Sequence, residues 1–142
     1  MEVESLIRGR YHPFDEQIGF CTVHADLVTK DELRERKNLL VENVRWKPSM
    51  PNRKGRYLEE IEIMIRDYPN IGIAYDIAHA YINEEPIEEI IKYKDRIKLF
   101  HLTDTIGKED RHMPLGKGEI DWNKFFKILG EINFRGFLII EK

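Results

Sequence analysis

The stretch Ile71-Gly72-Ile73-Ala74-Tyr75-Asp76-Ile77-Ala78-His79-Ala80 decides the fold class. Its first five residues are an apolar run too short to be a helix, and an acid and a histidine follow directly. Four more such runs occur, Ile18 to Val23, Asn38 to Val44, Ile97 to Leu102 and Gly136 to Ile140. Helical patterns separate them. Thr29-Lys30-Asp31-Glu32 has the outline of a capping box and opens a short helix to about Lys37. Tyr57, Leu58, Ile61, Met64 and Ile65 share a helical face, and that helix stops before Pro69. Pro86 begins a helix carrying Ile87, Ile90 and Ile91. Asp121 caps a last one whose Trp122, Phe125, Phe126 and Leu129 are expected in the core, with Gly130 helping to end it. Strands that are apolar almost throughout and alternate with helices imply a parallel sheet covered by helices, an α/β architecture. Both a doubly wound sheet and part of a (β/α) barrel satisfy this pattern. The dinucleotide-binding version is excluded, because Gly116-Lys117-Gly118 has two glycines and no strand before it; a Walker pattern is also absent.

The chain has 142 residues, enough for one domain, and 42% hydrophobic residues supply a core. Twenty-three Lys and Arg against 26 Asp and Glu leave a formal charge of −3, so no overall basic character points to nucleic acid or an acidic membrane. The start Met1-Glu2-Val3-Glu4 is acidic where a secretory signal is basic, and no apolar run approaches a membrane span; a cytoplasmic protein is expected. A single cysteine, Cys21, permits neither an internal disulfide nor a cysteine-rich zinc site, and in a strand it is expected to be buried and inert. Any metal must therefore use His, Asp and Glu. Nineteen isoleucines, one glutamine and 35% charged residues lean toward the composition of heat-adapted proteins.

Ionisable residues close nearly every expected strand, at the C-terminal ends where α/β folds place their sites. His24 ends the first, Glu42 lies within the second, Asp76 and His79 follow the third, His101 and Asp104 close the fourth, and Glu141 ends the fifth. An ionised carboxylate in an apolar strand costs several kcal/mol unless paired or metal-bound. Glu42, Asp76, His101 and Glu141 thus form a candidate inner set around a divalent cation. Three oxygens and one nitrogen suit Mn2+, Mg2+ or Co2+, and additional histidines favour Zn2+. Each residue also has a plainer reading. Glu42 fits a solvent-facing strand position, Asp76 a helix N-cap, Asp104 a loop hydrogen-bonding residue, and His12 a structural or exposed one. The basic stretch Arg45, Lys47, Arg53, Lys54 and Arg56 reads first as a solvated loop and second as a phosphate-holding one.

In order and context these residues resemble the xylose isomerase-like superfamily of (β/α) barrels, which holds sugar isomerases and epimerases, inosose dehydratase and endonuclease IV. The resemblance runs from Ile18 to Lys142. It rests on Val41-Glu42-Asn43, Asp76-Ile77-Ala78-His79-Ala80, His101-Leu102-Thr103-Asp104, Asp110-Arg111-His112 through Pro114-Leu115-Gly116-Lys117-Gly118-Glu119-Ile120-Asp121-Trp122, and Gly136 to Glu141. It implies that Glu42, Asp76, His101 and Glu141 ligate the metal and that His79 contacts substrate or a further metal. Glu42 and Glu141 would exchange a substrate proton, and His24 and Arg111 would hold substrate oxygens. In the endonuclease branch, Asp110 and His112 with His79 would complete a multi-zinc phosphodiesterase site acting on abasic DNA.

A complete barrel has about 250 residues and eight βα units, whereas this chain has five units at most. The expected architecture is a single partial (β/α) barrel domain over residues 1–142, corresponding to the second half of the fold. Such a piece is expected to have two open sheet edges and an uncovered interior. Self-association as a homo-oligomer around a sugar-binding site is one expectation, and a truncated, non-catalytic remnant or subunit is the other.

Overall fold

The computed structural model describes residues 12–141; the acidic start Met1-Glu2-Val3-Glu4 lies outside them. In chain order the elements are α1 (Pro13–Gln17), β1 (Cys21–His24), α2 (Lys30–Glu35), β2 (Leu39–Glu42), α3 (Leu58–Ile65) and β3 (Gly72–Asp76). They continue with α4 (Ile77–Ile82), α5 (Glu89–Lys92), β4 (Ile97–Leu102), α6 (Trp122–Glu131) and β5 (Phe137–Ile140). The strands form one parallel sheet in the order β1-β2-β3-β4-β5. A doubly wound sheet reverses its strand order at a switch point; this one never does, so it is an arc of a barrel.

Local chemistry sets the helix boundaries. Thr29 accepts from the Glu32 N–H and Glu32 accepts from the Thr29 N–H, each at 3.1 Å, closing the capping box of α2. Asp76 and Asp121 cap α4 and α6 with a single bond each, accepting from the N–H groups of His79 and Lys124. On α3, Leu58, Ile61 and Ile65 are buried against the sheet. Several expected boundaries move: β2 is confined to Leu39–Glu42, α2 ends at Glu35, and α6 runs through Gly130 to Glu131. β1 begins at Cys21 because Ile18 and Gly19 belong to the turn leaving α1, where Gly19 takes φ 90°. Pro86 stands in a turn ahead of α5, bonded through Pro86 O to the Glu89 N–H. Cys21 is half-buried rather than buried, since β1 is an edge strand.

The two faces of the sheet have different cores. Val41, Ile73, Tyr75, Phe100 and Leu102 pack beneath the helices, with the Phe100 ring edge-on to Phe125 at 5.2 Å and Phe134 at 4.9 Å. Phe126 departs from expectation. It is 46% exposed, lying against Trp122 and Phe125 at the margin of α6 rather than in the core. On the other, concave face Leu40, Ala74 and Leu99 are covered by Ile18, Phe20 and Ile139. The interior is therefore not bare, because the segment entering β1 fills it. The β5 edge remains open, with Phe137, Leu138 and Ile140 between 42% and 63% exposed.

Register brings the strand ends level. His24 lies opposite Glu42, Glu42 opposite Ala74, and Asp76 opposite His101. The last pairing depends on a bulge: Ile73 faces Ile97 but Ala74 faces Leu99, so Lys98 is skipped. Without that extra residue Asp76 would face Phe100, and His101 would turn to the helical side. The loop after β4 is tied down by Asp104. Its buried carboxylate accepts from the N–H groups of Thr105, Gly116, Gly118 and Ile120 and from the Trp122 indole, at 2.9–3.2 Å. A Cβ on Gly118 would stand 2.3 Å from Asp104 Oδ1, so only glycine permits this approach. Asp104→Ala strands several buried donors and should lower the unfolding free energy by about 3 kcal/mol or more in urea titration. An unchanged midpoint would show that the loop is held by something else.

Candidate metal centre

The C-terminal ends of the five strands open into a cavity of about 430 Å3. Glu42, Asp76 and Glu141 line it with His12, His24, His79, Asp110 and His112, and Arg45, Lys47 and Arg53 stand on its rim. His101 lies just beneath, wholly buried, so all five histidines of the chain meet here. A wider groove of about 590 Å3 beside Tyr81 and Glu119 holds no imidazole.

Of the inner set expected from the sequence, Glu42, Asp76 and His101 fall in one group, and Glu141 joins His101 in a second with His12. His101 Nδ1 lies 3.4 Å from Glu42 Oε1 and 3.6 Å from Glu141 Oε1. Ligand atoms of Glu42, Asp76 and His101 fall within 4.8 Å of one another, as do those of His12, His101 and Glu141. Glu141 is anchored by its N–H to the Leu102 carbonyl at 3.0 Å. Three carboxylates in so small a volume repel each other, and His101 Nδ1 lies buried between two of them. Donor separations near 3.5 Å are those expected around one ion with ligand bonds of about 2.1 Å. The residues present fit a divalent cation.

Electrostatics shows how strongly these acids call for positive charge. Burial opposes charge on His101, but Asp15 and Glu42 outweigh it and raise the imidazole to about 11. Burial likewise opposes charge on His79, and Asp76, Asp110 and Glu42 raise it to about 10. Burial, with the charges of Glu42 and Glu141 acting against the attraction of His79, lifts Asp76 to about 6. For Glu42 burial is outweighed by the imidazoles of His101, His79 and His24, and its carboxyl is held low. The protein gathers positive charge around acids that need it.

The other expected residues divide. His79 bonds through Nδ1 to the Asn43 carbonyl at 2.8 Å, which turns Nε2 toward Asp76 at 3.7 Å and Asp110 at 3.2 Å. His112, with a left-handed backbone at φ 50°, sets its ring 3.3 Å from Asp110 and 3.6 Å from Glu141. His24 is half-exposed, 3.8 Å from Glu42. Arg111 is not brought in: its guanidinium pairs with Glu109 at 3.1 Å, outside the cavity. His12, read from sequence as structural or exposed, is instead part of the cluster, 2.6 Å from Glu141 and stacked on His101. Sequence reasoning missed Asp15 altogether; its contact with His101 spans 86 positions, and no local pattern announces it.

Comparison with known proteins agrees with this geometry. The profile of the xylose isomerase-like TIM barrel matches residues 29–142. An uncharacterised protein of Methanocaldococcus jannaschii is 30% identical over 91% of this chain and 46% of its own length. An inosose dehydratase of Clostridium botulinum is 33% identical over 58% of this chain and 35% of its own. The crystal structure of a D-tagatose 3-epimerase-like protein superposes with a TM-score of 0.65 and 27% identity, covering 79% of this chain and 43% of that one. The chain spans less than half the length of each. A non-reversing parallel sheet, a cluster of acids and imidazoles at its C-terminal ends and a match over most of its residues place this chain in the xylose isomerase-like TIM-barrel family.

Proposed function

We propose that this chain is a divalent-metal-dependent isomerase or epimerase acting on a sugar or sugar phosphate. The observation that carries the reading is the wholly buried His101, whose Nδ1 lies between the carboxylates of Glu42 and Glu141, 3.4 and 3.6 Å away. Glu42, Asp76, His101 and Glu141 would hold the ion, Mn2+, Mg2+ or Co2+ by donor type. Bound there, it would polarise a substrate carbonyl and its neighbouring hydroxyl and acidify the C–H between them. One of Glu42 and Glu141 would take that proton as a carboxylate, and the other, carrying a proton of its own, would deliver one to the carbon, so the pair needs one ionised and one protonated member. Glu42 is held low by its imidazole neighbours. His24 and His79 face the cavity as hydrogen-bonding groups for substrate oxygens, and Arg45 on the rim takes the part first expected of Arg111.

A second reading rests on Asp110, whose Oδ2 lies 3.2 Å from His79 and 3.3 Å from His112. A further Zn2+, as in a phosphodiesterase acting on abasic DNA, would draw on those residues, although the three do not together fall within ligand spacing of one another. The exposed apolar side chains of β5 favour association with another copy of the chain, covering the edge.

Elemental analysis beside light scattering separates the readings. One Mn2+ or Co2+ per chain in a dimer or larger species is expected; two or more zincs would favour the phosphodiesterase, and a metal-free oligomer a non-catalytic subunit. Glu42→Gln and Glu141→Gln should each abolish solvent-proton exchange into a ketose while the fold persists. Retained exchange in either removes that glutamate from the mechanism.

pH supplies an independent check. His12, His79 and His101 are raised from 6.5 to about 9, 10 and 11. Folded-state protonation therefore adds stability that is complete below pH 6.5 and disappears as pH climbs through 9 to 11. With chelator present, the thermal midpoint should fall between pH 7 and 10, and Mn2+ should reduce that fall. A midpoint independent of pH, or of Mn2+, would contradict the electrostatic picture.

A further inference from the structure

Asp15 is a carboxylate with no exposed surface on the concave side of the sheet, contributed by a five-residue helix that packs on β1. Its Oδ2 accepts from the Thr22 hydroxyl at 2.5 Å and lies 2.8 Å from His101 Nε2. Its main-chain carbonyl accepts from the Phe20 N–H at 2.9 Å, so backbone and side chain are both fixed. A buried carboxylate costs several kcal/mol unless it is partnered, and here His101 and Thr22 both reach Oδ2 while His12 Nδ1 stands 3.3 Å from Oδ1. With Nε2 as donor to Oδ2, the contact is an ordinary imidazole–carboxylate hydrogen bond. That leaves Nδ1 facing Glu42 and Glu141.

We infer that Asp15 is the positioning residue for His101: it fixes the Nε2–H and the plane of the ring, so that the Nδ1 lone pair is presented to the ion. This rests on the metal reading of the cluster given above. Histidine ligands are commonly oriented in this way by a carboxylate on the far nitrogen, and loss of such a partner typically weakens metal binding 10- to 100-fold. The carboxylate comes from outside the β/α units whose strand ends carry the ligands. The segment preceding β1 is thus part of the site, beyond its role as cover for Leu40, Ala74 and Leu99. Thr22 offers a gentler perturbation: its hydroxyl holds Asp15 from β1, so Thr22→Val tests whether loosening Asp15 is felt at the ion.

The test uses the full chain with two readouts. In the metal-free protein, the His101 Nε2 proton should give a downfield, slowly exchanging NMR signal that disappears in Asp15→Ala and shifts in Asp15→Asn. By calorimetric titration with Mn2+, Asp15→Ala should bind 10- to 100-fold more weakly, with Asp15→Asn and Thr22→Val in between. Asp15→Asn keeps the size and one acceptor, so it decides the matter if the alanine variant does not fold. A folded variant at position 15 with wild-type affinity and an unchanged Nε2 proton would overturn the inference. If wild-type protein binds no Mn2+ but Asp15→Ala loses the Nε2 signal, the positioning contact stands and the metal reading fails.

Discussion

Mutual repulsion among carboxylates at one end of the sheet is the constraint on which the rest of the site depends. Asp15, Glu42, Asp76, Asp110 and Glu141 all lie at or beneath a single cavity, and Glu42, Asp76 and Asp15 are almost without solvent. Such a grouping is stable only with positive charge at its centre. His12, His79 and His101, raised well above their ordinary value, supply part of that charge. The buried Nδ1 of His101 between two acids is the point at which an ion gains most, because each ligand contact there replaces repulsion with attraction.

The backbone delivers these side chains through a few devices. Apolar runs buried on both faces force a parallel sheet, consecutive strand order curves it, and pairing sets His24, Glu42, Asp76 and His101 nearly level. Skipping Lys98 aligns Asp76 with His101, so a one-residue irregularity decides whether the imidazole faces the acids or the helices. Asp104 then folds the loop carrying Asp110 and His112 back over the mouth.

Much of this was legible in the sequence. The five strands, the Thr29 capping box and the convergence of Glu42, Asp76, His101 and Glu141 follow from short apolar runs that end in ionisable residues. What was hidden has physical causes. α4 is buried at Ile77, Ala78, His79, Ala80 and Ile82, so it lacks the polar face that makes a helix visible in periodicity. α1 is only five residues long, and Asp15 and His12 act through contacts 86 and 129 positions away. Arg111 looked like a cavity residue because its neighbours are; the chain carries it outward to Glu109. The expected bare interior was a misjudgement of the same kind, since Ile18 and Phe20 were counted as strand when they are cover.

Anomalous diffraction from crystals grown with Mn2+ tests the central claim most directly. The account predicts one strong peak within about 2.3 Å of His101 Nδ1, shared with Glu42, Asp76 and Glu141. Crystals whose only manganese peaks lie away from His101, or that show none while the four side chains keep their arrangement, would contradict it.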